Sequence, residues 1–387
     1  MLPKLSVKQK LVLLQRYSDP EEIFQQEYFH HEPLDAEAID ALENKDLSAA
    51  RAVVKSCAEK HISILTYSDA AYPSRLRGIA DPPLVLYYKG VLPDFESSPV
   101  IGVVGTRKAS GYGMTNAYQI AGQIAACGGL VVSGGAYGVD TKALEGALDA
   151  GKQTVVVLGG GVDVVYPRSN KALFARIEEN GCLMSEYLPG AEPLPWNFLE
   201  RNRIISGLSN GVLVVEAPEK SGALITARDA LEQGRDVFVI PGNIGVATCE
   251  GSNRLLQEYA AAAISGWDVV KEYAPLYPDT VEQRRFVPQT AKVAQPVQIP
   301  VPDSSTDKKV IDNRKTSAYS DLENKTVQLT EEETKLLSYL DTEPKPVDLV
   351  IDSAGMQPAK VLSMLTRLAL KGVVTNHPGK MVSLNHK

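Results

Sequence analysis

"GVVGTRKASGYG", residues 102–113, runs from an apolar strand into a glycine-rich turn with two cations, and then opens a helix. Glycines at the end of a strand let a phosphate approach main-chain N–H groups, and the N-terminus of the following helix adds a partial positive charge. This stretch therefore predicts a phosphate-binding turn. It leaves open whether the phosphate belongs to a dinucleotide, a nucleoside triphosphate or a nucleic acid.

Strand and helix signals alternate strictly around and after this stretch. The predicted strands are Val100–Val104, Leu130–Ser133, Thr154–Leu158, Cys182–Ser185, Val212–Glu216 and Val237–Ile240. Helical stretches separate them, and parallel strands need such crossover connections. The pattern predicts an α/β fold with a doubly wound, mainly parallel sheet of the extended Rossmann-like type, preceded by a short β-rich lead-in.

Composition shifts along the chain predict four parts. Residues 1–62 show helical spacing and are predicted to form a small helical domain of the SAM or helix-hairpin-helix type. Residues 63–273 hold the Rossmann-like domain. Residues 274–326 are rich in Pro, Gln, Ser and Thr, which predicts a flexible linker. Residues 327–387 follow the order helix, helix, turn, helix, hairpin, which predicts a winged helix.

Composition also limits the class of protein. The chain has 387 residues, 44% hydrophobic and 22% charged, with a net charge of −7. It has no apolar run of membrane-spanning length and no signal-peptide pattern, so we expect a cytoplasmic protein that does not enter a membrane. Four scattered cysteines indicate reduced thiols and no metal site. The acidic total means that any nucleic-acid site is a local patch.

Two phosphate-binding motifs are imitated but not matched. A dinucleotide fingerprint needs a third glycine where Asn116 stands after Gly111-Tyr112-Gly113. "GALDAGKQ", residues 146–153, imitates a P-loop, but Gln153 replaces the magnesium-binding hydroxyl and the stretch runs from helix into strand. Neither a dinucleotide nor ATP hydrolysis is supported, and no cofactor is expected.

Glycines and polar or basic groups recur in the loops that follow the predicted strands. These candidate ligand-binding residues are Gly105, Thr106, Arg107, Lys108, Gly134, Gly135, Gly138, Arg168, Lys171, Arg201, Asn202, Arg203, Lys220, Ser221 and Gly222. Loops after parallel strands gather at one edge of a sheet, and recurring cations there suit a ligand with many phosphates, such as a polynucleotide strand. For single residues, simpler explanations stay open: glycines that only make tight turns, solvated cations, a helix cap at Ser221, or an ion pair of Arg201 with Glu200 or Glu216.

A catalytic site has little support. All five histidines, at positions 30, 31, 61, 377 and 386, lie outside the sheet domain, which excludes a histidine-based triad there. Asp140 and Glu216 are predicted at the same edge and leave an acid/base pair open. Asp140 is equally explained as a carboxylate that interacts with a helix N-terminus.

Several longer motifs together resemble the DprA/Smf family of bacterial DNA-processing proteins. They include "YPSRLRGIADPPLVLYYKG", "VVGTRKASGYG", "VVSGGAYGVDTKALEGAL", "VVVLGGGVDVVYPRSNKALF" and "NFLERNRIISGLSNGVLVVEAPEKSGALITARDALEQGRDVFVIPGN", within residues 65 to 270. The resemblance implies a protein that binds and protects single-stranded DNA and loads the RecA recombinase in natural transformation, without enzymatic turnover. It implies strand contacts by Arg107, Arg168, Lys171 and the loops around Gly134 and Ser221.

The resemblance also implies a homodimer formed through "SNRLLQEYAAAAI", with Leu255, Leu256 and Ala263 as contacts. The same stretch reads as an amphipathic helix whose apolar face the domain's own core would satisfy equally well. Two other functions stay open. One is a nucleotide-processing enzyme of the lysine-decarboxylase-like type, although its P-G-G-x-G-T motif is missing after Pro241-Gly242. The other is a duplex-DNA regulator that acts through the winged helix.

Overall fold

The computed structural model describes residues 5–17, 20–26, 29, 34–288, 331–341, 343, 345–356, 360–361, 364–365, 368–369, 373–377 and 381–384. The chain divides into two compact units, residues 1–297 and 298–387.

The first unit contains four N-terminal helices followed by alternating strands and helices. Its described helices are α1 (Val7–Arg16), α2 (Pro20–Gln25), α3 (Ala36–Glu43), α4 (Ser48–Glu59), α5 (Ser74–Arg77), α6 (Gly111–Ala126), α7 (Val139–Asp149), α8 (Lys171–Asn180), α9 (Asn197–Leu208), α10 (Gly222–Glu232), α11 (Glu250–Glu258) and α12 (Gly266–Val270). Its described strands are β1 (Ser63–Thr66), β2 (Val85–Gly90), β3 (Val100–Val104), β4 (Leu130–Ser133), β5 (Thr154–Val157), β6 (Cys182–Ser185), β7 (Gly211–Val214), β8 (Asp236–Val239) and β9 (Ala261–Ala262). Short 3-10 helices cover Arg168–Asn170 and Lys271–Tyr273.

Within the described residues, nine strands form one sheet in the order β1-β2-β6-β5-β4-β3-β7-β8-β9. Neighbours from β6 to β9 are parallel, whereas β1 and β2 add an antiparallel edge. The predicted fold class is therefore confirmed. The predicted bounds match the observed ones for β3, β4 and β6, whereas those of β5, β7 and β8 differ by one or two residues. For example, β7 ends at Val214, although the Thr106 N–H still donates to the Glu216 carbonyl at 2.7 Å.

Helices cover both faces of the sheet because the central strands are apolar on both faces. In β3, Val104 packs in one buried cluster with Ile204 of α9, while Ile101 packs in another with Ile124 of α6. A strand turns successive side chains to opposite faces, so an uninterrupted apolar run serves both layers. The two layers hold the loops after β3 and β7 in fixed places.

The N-terminal helices have a small core of their own. It consists of Leu5, Leu13, Phe29, Ala38 and Leu42. At the end of α4, Lys60 Nζ lies 2.5 Å from Asp163 Oδ2, and the Gly190 N–H donates to Asp163 Oδ1 at 2.7 Å. Burial raises the pKa of Asp163, but these hydrogen bonds outweigh burial and hold it below its ordinary value. The predicted helices are present in this region, and the boundary at residue 62 stays a prediction.

The predicted linker begins with residues that pack against the sheet domain. Val281 is buried, and the ring of Phe286 lies against the ring of Tyr118 with centroids 5.6 Å apart. A Cβ on Gly122 of α6 would lie 2.5 Å from the Phe286 ring, so the glycine makes room for it. The start of a flexible linker at residue 274 is therefore corrected: residues 274–288 belong to the packed domain. The rest of the predicted linker, residues 289–326, lies outside the described residues.

The second unit is small and mixed. Its described elements are α13 (Glu331–Leu337), β10 (Lys345–Pro346), α14 (Val347–Ala354), β11 (Val374–His377) and β12 (Met381–Leu384). The strands form an antiparallel sheet in the order β10-β12-β11. Leu336, Val350, Leu365 and Val382 share its core. This order of helices and hairpin agrees with the predicted winged helix.

Across the described parts of both units, the helices are too short or too polar to span a lipid bilayer.

Candidate functional site

A groove opens where the winding of the sheet reverses. The chain moves outward from β3 through β4 and β5 to β6, and then returns to the other side of β3 with β7. Loops that leave β3 and β7 diverge to opposite faces, and ligands of open α/β sheets bind in the crevice between such loops. We call this crevice the central groove; its volume is about 400 Å³. The predicted residues that line it are Gly105, Thr106, Arg107, Lys108, Arg201, Asn202, Lys220, Ser221 and Gly222.

The loop after β3 presents two cations to the central groove. Arg107 and Lys108 are exposed, and no ion pair joins either of them to another described residue. The Arg107 guanidinium lies over the ring of Phe198, 5.0 Å from its centroid. The loop is held at its base, because the Thr106 N–H donates to the Glu216 carbonyl. This loop, residues 105–110, is called the Arg107 loop below.

The N-terminus of α10 forms the opposite wall. Ser221 caps the helix by accepting the Ala223 N–H at 3.3 Å, so the capping role that the sequence left open is present. A Cβ on Gly222 would have no atom within 4 Å, and Lys220 beside it is exposed. The positive end of the α10 dipole thus lies beside the Lys220 cation and faces open space. Together with the Arg107 loop, this wall makes an electropositive site for an anion.

The glycines after β4 serve internal packing. A Cβ on Gly134 would lie 2.5 Å from the Arg201 guanidinium, and a Cβ on Gly138, whose φ is +76°, would lie 2.5 Å from the Thr106 carbonyl oxygen. Gly135, with φ +67°, meets Val156 in the same way. Protein atoms therefore fill the space that these glycines leave. The simpler explanation, a tight turn, accounts for all three without a ligand.

Arg201 is a buried brace, which corrects its prediction as a strand-contacting cation. Only 3% of the residue is exposed, and its guanidinium donates to the Gly134 carbonyl at 2.7 Å and to the Val157 carbonyl. Burial lowers the pKa of Arg201 to about 10, against the attraction of Asp140, so it stays charged at neutral pH. Burial likewise raises the pKa of Asp140, and Arg201 opposes that shift. Through its two carbonyl partners, Arg201 ties the ends of β4 and β5 to α9.

Asn202 and Arg203 point away from each other because consecutive helix residues face different directions. Asn202 lines the central groove and donates to the Gly222 carbonyl at 3.4 Å. Arg203 lies outside the groove, 2.6 Å from Glu186 and 3.1 Å from Asp81. The three residues of the predicted cluster thus have three roles: Arg201 is a brace, Asn202 lines the groove and Arg203 forms ion pairs elsewhere. The prediction of Arg203 as a strand contact is corrected accordingly.

Arg168 and Lys171 lie where the neighbouring loop after β5 ends: Arg168 opens the short 3-10 helix and Lys171 begins α8. Both are exposed, and neither lines the central groove. Their loop is connected to the groove by Tyr166, whose ring lies 5.5 Å from that of Phe198. These two cations are placed to extend the electropositive surface beyond the groove.

Asp140 and Glu216 have separate partners. Asp140 accepts the Ala136 N–H at 3.3 Å and lines the central groove. Glu216 is fully buried and accepts the Ser110 N–H at 2.9 Å. Each carboxylate therefore has a structural role, and their geometry gives no support to an acid/base pair. Among the described residues, no three His, Cys, Asp or Glu side chains come together as a metal site would require.

The predicted dimer contacts lie at different depths. Leu255 and Ala263 are buried in the domain's own core, as the alternative explanation from the sequence expected. Leu256 is half-buried against the same core. Exposed apolar side chains near them include Ile264, 82% exposed, and Leu231, 49% exposed. Leu255 and Ala263 are therefore corrected to core residues, whereas the homodimer itself stays a prediction.

Sequence reasoning missed one wall of the central groove. Leu199 and Ile205 of α9, and Pro195 just before it, line this wall beside Phe198. The signal is present: positions 198, 201, 202 and 205 recur with helical spacing and share one face. This shared helix face is hard to recognise in the sequence, because the charged residues of the stretch suggest a single basic loop.

Two family models match this chain. The model of the DNA recombination-mediator protein A family matches residues 63–274, and the model of the DprA winged helix domain matches residues 321–380. Protein Smf of Synechocystis sp. is 34% identical over 326 residues, which cover 83% of this chain and 80% of that protein. DNA processing protein DprA of Bacillus subtilis is 40% identical over 220 residues, 57% of this chain and 74% of that protein.

Two solved structures resemble the first unit. DNA processing protein A from Streptococcus pneumoniae matches with a TM-score of 0.58 and 35% identity over 70% of this chain and 94% of that chain. The same protein from Helicobacter pylori, whose structure is described for its single-stranded DNA binding mode, matches with a TM-score of 0.51 and 29% identity, over 56% of this chain and 97% of that chain.

Proposed function

This chain belongs to the DNA recombination-mediator protein A family, and on that premise we propose that it binds single-stranded DNA through the central groove. The observation that carries the proposal is the pairing of two exposed cations on the Arg107 loop, neither in an ion pair with a described residue, with the open N-terminus of α10 across one groove. Phosphate oxygens are the ligands that such a site favours. The relative from Helicobacter pylori is itself a single-stranded DNA binding protein, which supports the same ligand here.

The number of cations supports a polynucleotide over a nucleotide. Arg107, Lys108 and Lys220 belong to the groove, and Arg168 with Lys171 continues the positive surface on the next loop. A nucleotide would use two or three of these groups, whereas a strand that crosses both loops uses all five. Contact through phosphates carries no base information, so binding is expected to be independent of sequence.

The aromatic rings beside the cations suit bases that are not paired. Tyr166 is 41% exposed and touches Phe198 at the rim of the groove. Every base offers a π-face, and stacking of unpaired bases on aromatic rings is common in single-strand binding proteins. A duplex hides those faces, so we expect the single strand to be preferred.

The finer part of the proposal concerns what binding is for. We infer that the protein protects incoming single strands and loads a RecA-type recombinase on them during natural transformation, that it acts as a homodimer, and that it does so without turnover of a substrate. The name of the family, a recombination mediator, supports this role. In a reconstituted reaction, RecA ATPase activity on a strand coated with single-strand binding protein is expected to start sooner when this protein is added. An unchanged lag would contradict loading while leaving DNA binding intact.

Fluorescence anisotropy of a labelled oligo-dT and of a matched duplex tests the binding itself. Wild-type protein is expected to bind the single strand more tightly. Arg107→Ala is expected to weaken binding by at least tenfold, since a charge-assisted contact to phosphate contributes about 1.5 to 3 kcal/mol. Arg51→Ala, which removes an exposed cation on α4, is the matched control and is expected to bind as wild type.

Two results would refute this function. One is the absence of single-strand binding by the wild-type protein at low salt. The other is equal binding by wild type and Arg107→Ala, which would remove the central groove from the binding surface.

A further inference from the structure

Glu216 lies beneath the Arg107 loop and is bonded to both of its ends. Its main-chain carbonyl accepts the Thr106 N–H at 2.7 Å, and its side-chain Oε2 accepts the Ser110 N–H at 2.9 Å. Arg107 and Lys108 stand between these two attachment points. The buried residue Glu216 therefore holds both ends of the Arg107 loop, which joins β3 to α6 and carries the two cations.

The carboxylate also contacts the two residues that precede α11. Thr248 Oγ donates to Glu216 Oε1, and Cys249 Sγ lies 3.8 Å from the same oxygen. No lysine or arginine of the described chain pairs with Glu216. An ionised carboxylate that is 0% exposed is costly unless hydrogen bonds and a positive potential compensate it.

The N-terminus of α6 supplies that potential. Ser110 is the N-cap of α6, and its N–H donates directly to the carboxylate. A Cβ on Gly113, in the first turn, would lie 1.9 Å from Glu216 Oε2, so the helix accommodates the carboxylate only because glycine stands there. The positive end of a helix dipole stabilises an anion at this position.

This placement fills the position at which a Rossmann-like turn would receive a dinucleotide. In dinucleotide-binding sheets, the N-terminus of the helix after the first parallel strand receives the pyrophosphate. Here β3 and α6 hold that position, and the chain's own carboxylate occupies it. The cations of the loop are then left for a ligand in the central groove.

We propose that Glu216 is a positioning residue for DNA binding: it fills the N-terminus of α6 in place of a ligand phosphate and clamps the Arg107 loop so that Arg107 and Lys108 face the central groove. The proposal rests on the proposed function, because its main readout is the affinity for single-stranded DNA. Glu216 itself touches no ligand, since it does not line the groove.

A double-mutant cycle tests the proposal. Glu216→Gln keeps the shape of the side chain and one acceptor oxygen but removes the charge that α6 holds, and it is expected to weaken oligo-dT binding about tenfold. In a background of Arg107→Ala with Lys108→Ala, the same change is expected to have no further effect, since the groups that it positions are gone. Glu186→Gln is the matched control, because that carboxylate is also largely buried but pairs with Arg203 outside the groove. It is expected to leave DNA affinity unchanged.

An equal loss of affinity in both backgrounds would overturn the positioning role, because it would show that Glu216 acts independently of the two cations. If wild type binds no DNA, or if the two cations do not matter, the proposed function fails instead, so the two failures are distinguishable.

Two further measurements keep the proposal testable if Glu216→Gln folds poorly. Thr248→Val removes one donor to the carboxylate without touching the loop, and it is expected to weaken binding about threefold with the same dependence on the two cations. In the wild-type protein, amide hydrogen exchange at Ser110 is expected to be as slow as in β3. Fast exchange at Ser110, as in a free loop, would contradict the clamp.

Discussion

Replacement of Arg201 distinguishes a structural brace from a DNA contact. Arg201→Met keeps the length of the side chain and removes the guanidinium that bonds the Gly134 and Val157 carbonyls. It also leaves Asp140 buried without its cation. Each buried carbonyl left without its donor costs about 1 to 3 kcal/mol, so the loss of both bonds is expected to cost about 2 to 6 kcal/mol. For a domain of this size, that corresponds to a fall of about 10 °C in Tm.

Intrinsic fluorescence measures this loss selectively. The chain has two tryptophans, Trp196 and Trp267, and both lie within the residues that the family model matches. Urea titrations followed by tryptophan emission therefore report the Rossmann-like domain. Arg168→Met is the matched control: it removes an exposed arginine near the groove, so its stability is expected to stay within about 0.5 kcal/mol of wild type.

The pH dependence adds a second check on the same variant. Burial raises the pKa of Asp140, so this carboxyl group takes up a proton in the folded state at a higher pH than in the unfolded state. A raised pKa means that its stabilising contribution is present at low pH and is lost as the pH rises through the folded value. Without Arg201 the pKa of Asp140 rises further. The loss of stability of Arg201→Met relative to wild type is therefore expected to be smaller at pH 5 than at pH 7. Adding Asp140→Asn is expected to recover part of the stability at pH 7.

One pattern of results would refute the brace. If Arg201→Met unfolds as wild type does but binds oligo-dT as weakly as Arg107→Ala, the guanidinium contacts DNA and is not a structural group.

Three further changes follow from the packing. Gly113→Ala would place a Cβ 1.9 Å from Glu216 Oε2 and is expected to lower the free energy of unfolding, measured by urea titration, by at least about 2 kcal/mol. Gly111→Ala, whose Cβ would have no atom within 4 Å, is the control and is expected to be neutral. Equal effects of the two substitutions would contradict the packing argument. Asp163→Asn is expected to lower stability at pH 7. The difference in free energy of unfolding between this variant and wild type should fade below pH 3.8, because a carboxyl group with a lowered pKa gives stability that is lost as the pH falls. The same difference at pH 7 and at about pH 3 would count against this reasoning. Phe286→Ala is expected to expose the segment after α12 to trypsin while the sheet domain stays folded; an unchanged cleavage rate would show that the ring does not anchor it.

The fold was predictable because its signals are local. Apolar strands that alternate with helices and end in glycine turns imply a parallel, doubly wound sheet, and each predicted strand occurs within two residues of its expected place. The packed segment at residues 274–288 was not predictable from composition. Seven of its fifteen residues are proline or charged, as in a linker, and the pocket that receives Phe286 is made by a glycine 164 positions earlier in the chain, at residue 122.

The site was predictable in position but not in the role of each residue. Arg107 and Lys108 could be assigned because they follow a strand directly, and a loop at that point opens toward the edge of the sheet. Arg201 and Arg203 could not be distinguished, because helix residues two positions apart face nearly opposite sides and only the packed structure decides which side is buried. Glu216 was open to interpretation as a catalytic acid or base, since nothing in its local sequence predicts that the N-terminus of α6 comes to lie beside it.

The salt dependence of oligo-dT binding tests the central claim most directly. Each phosphate contact contributes about 0.7 to the slope of log K against log salt for a single strand, so five contacts predict a slope of about −3.5 and a loss of about 100-fold between 50 and 200 mM salt. Replacing Arg107, Lys108 and Lys220 by alanine removes the cations of the central groove and should reduce the slope to about −1.4. A slope that the three substitutions leave unchanged would contradict the assignment of this groove as the DNA-binding site.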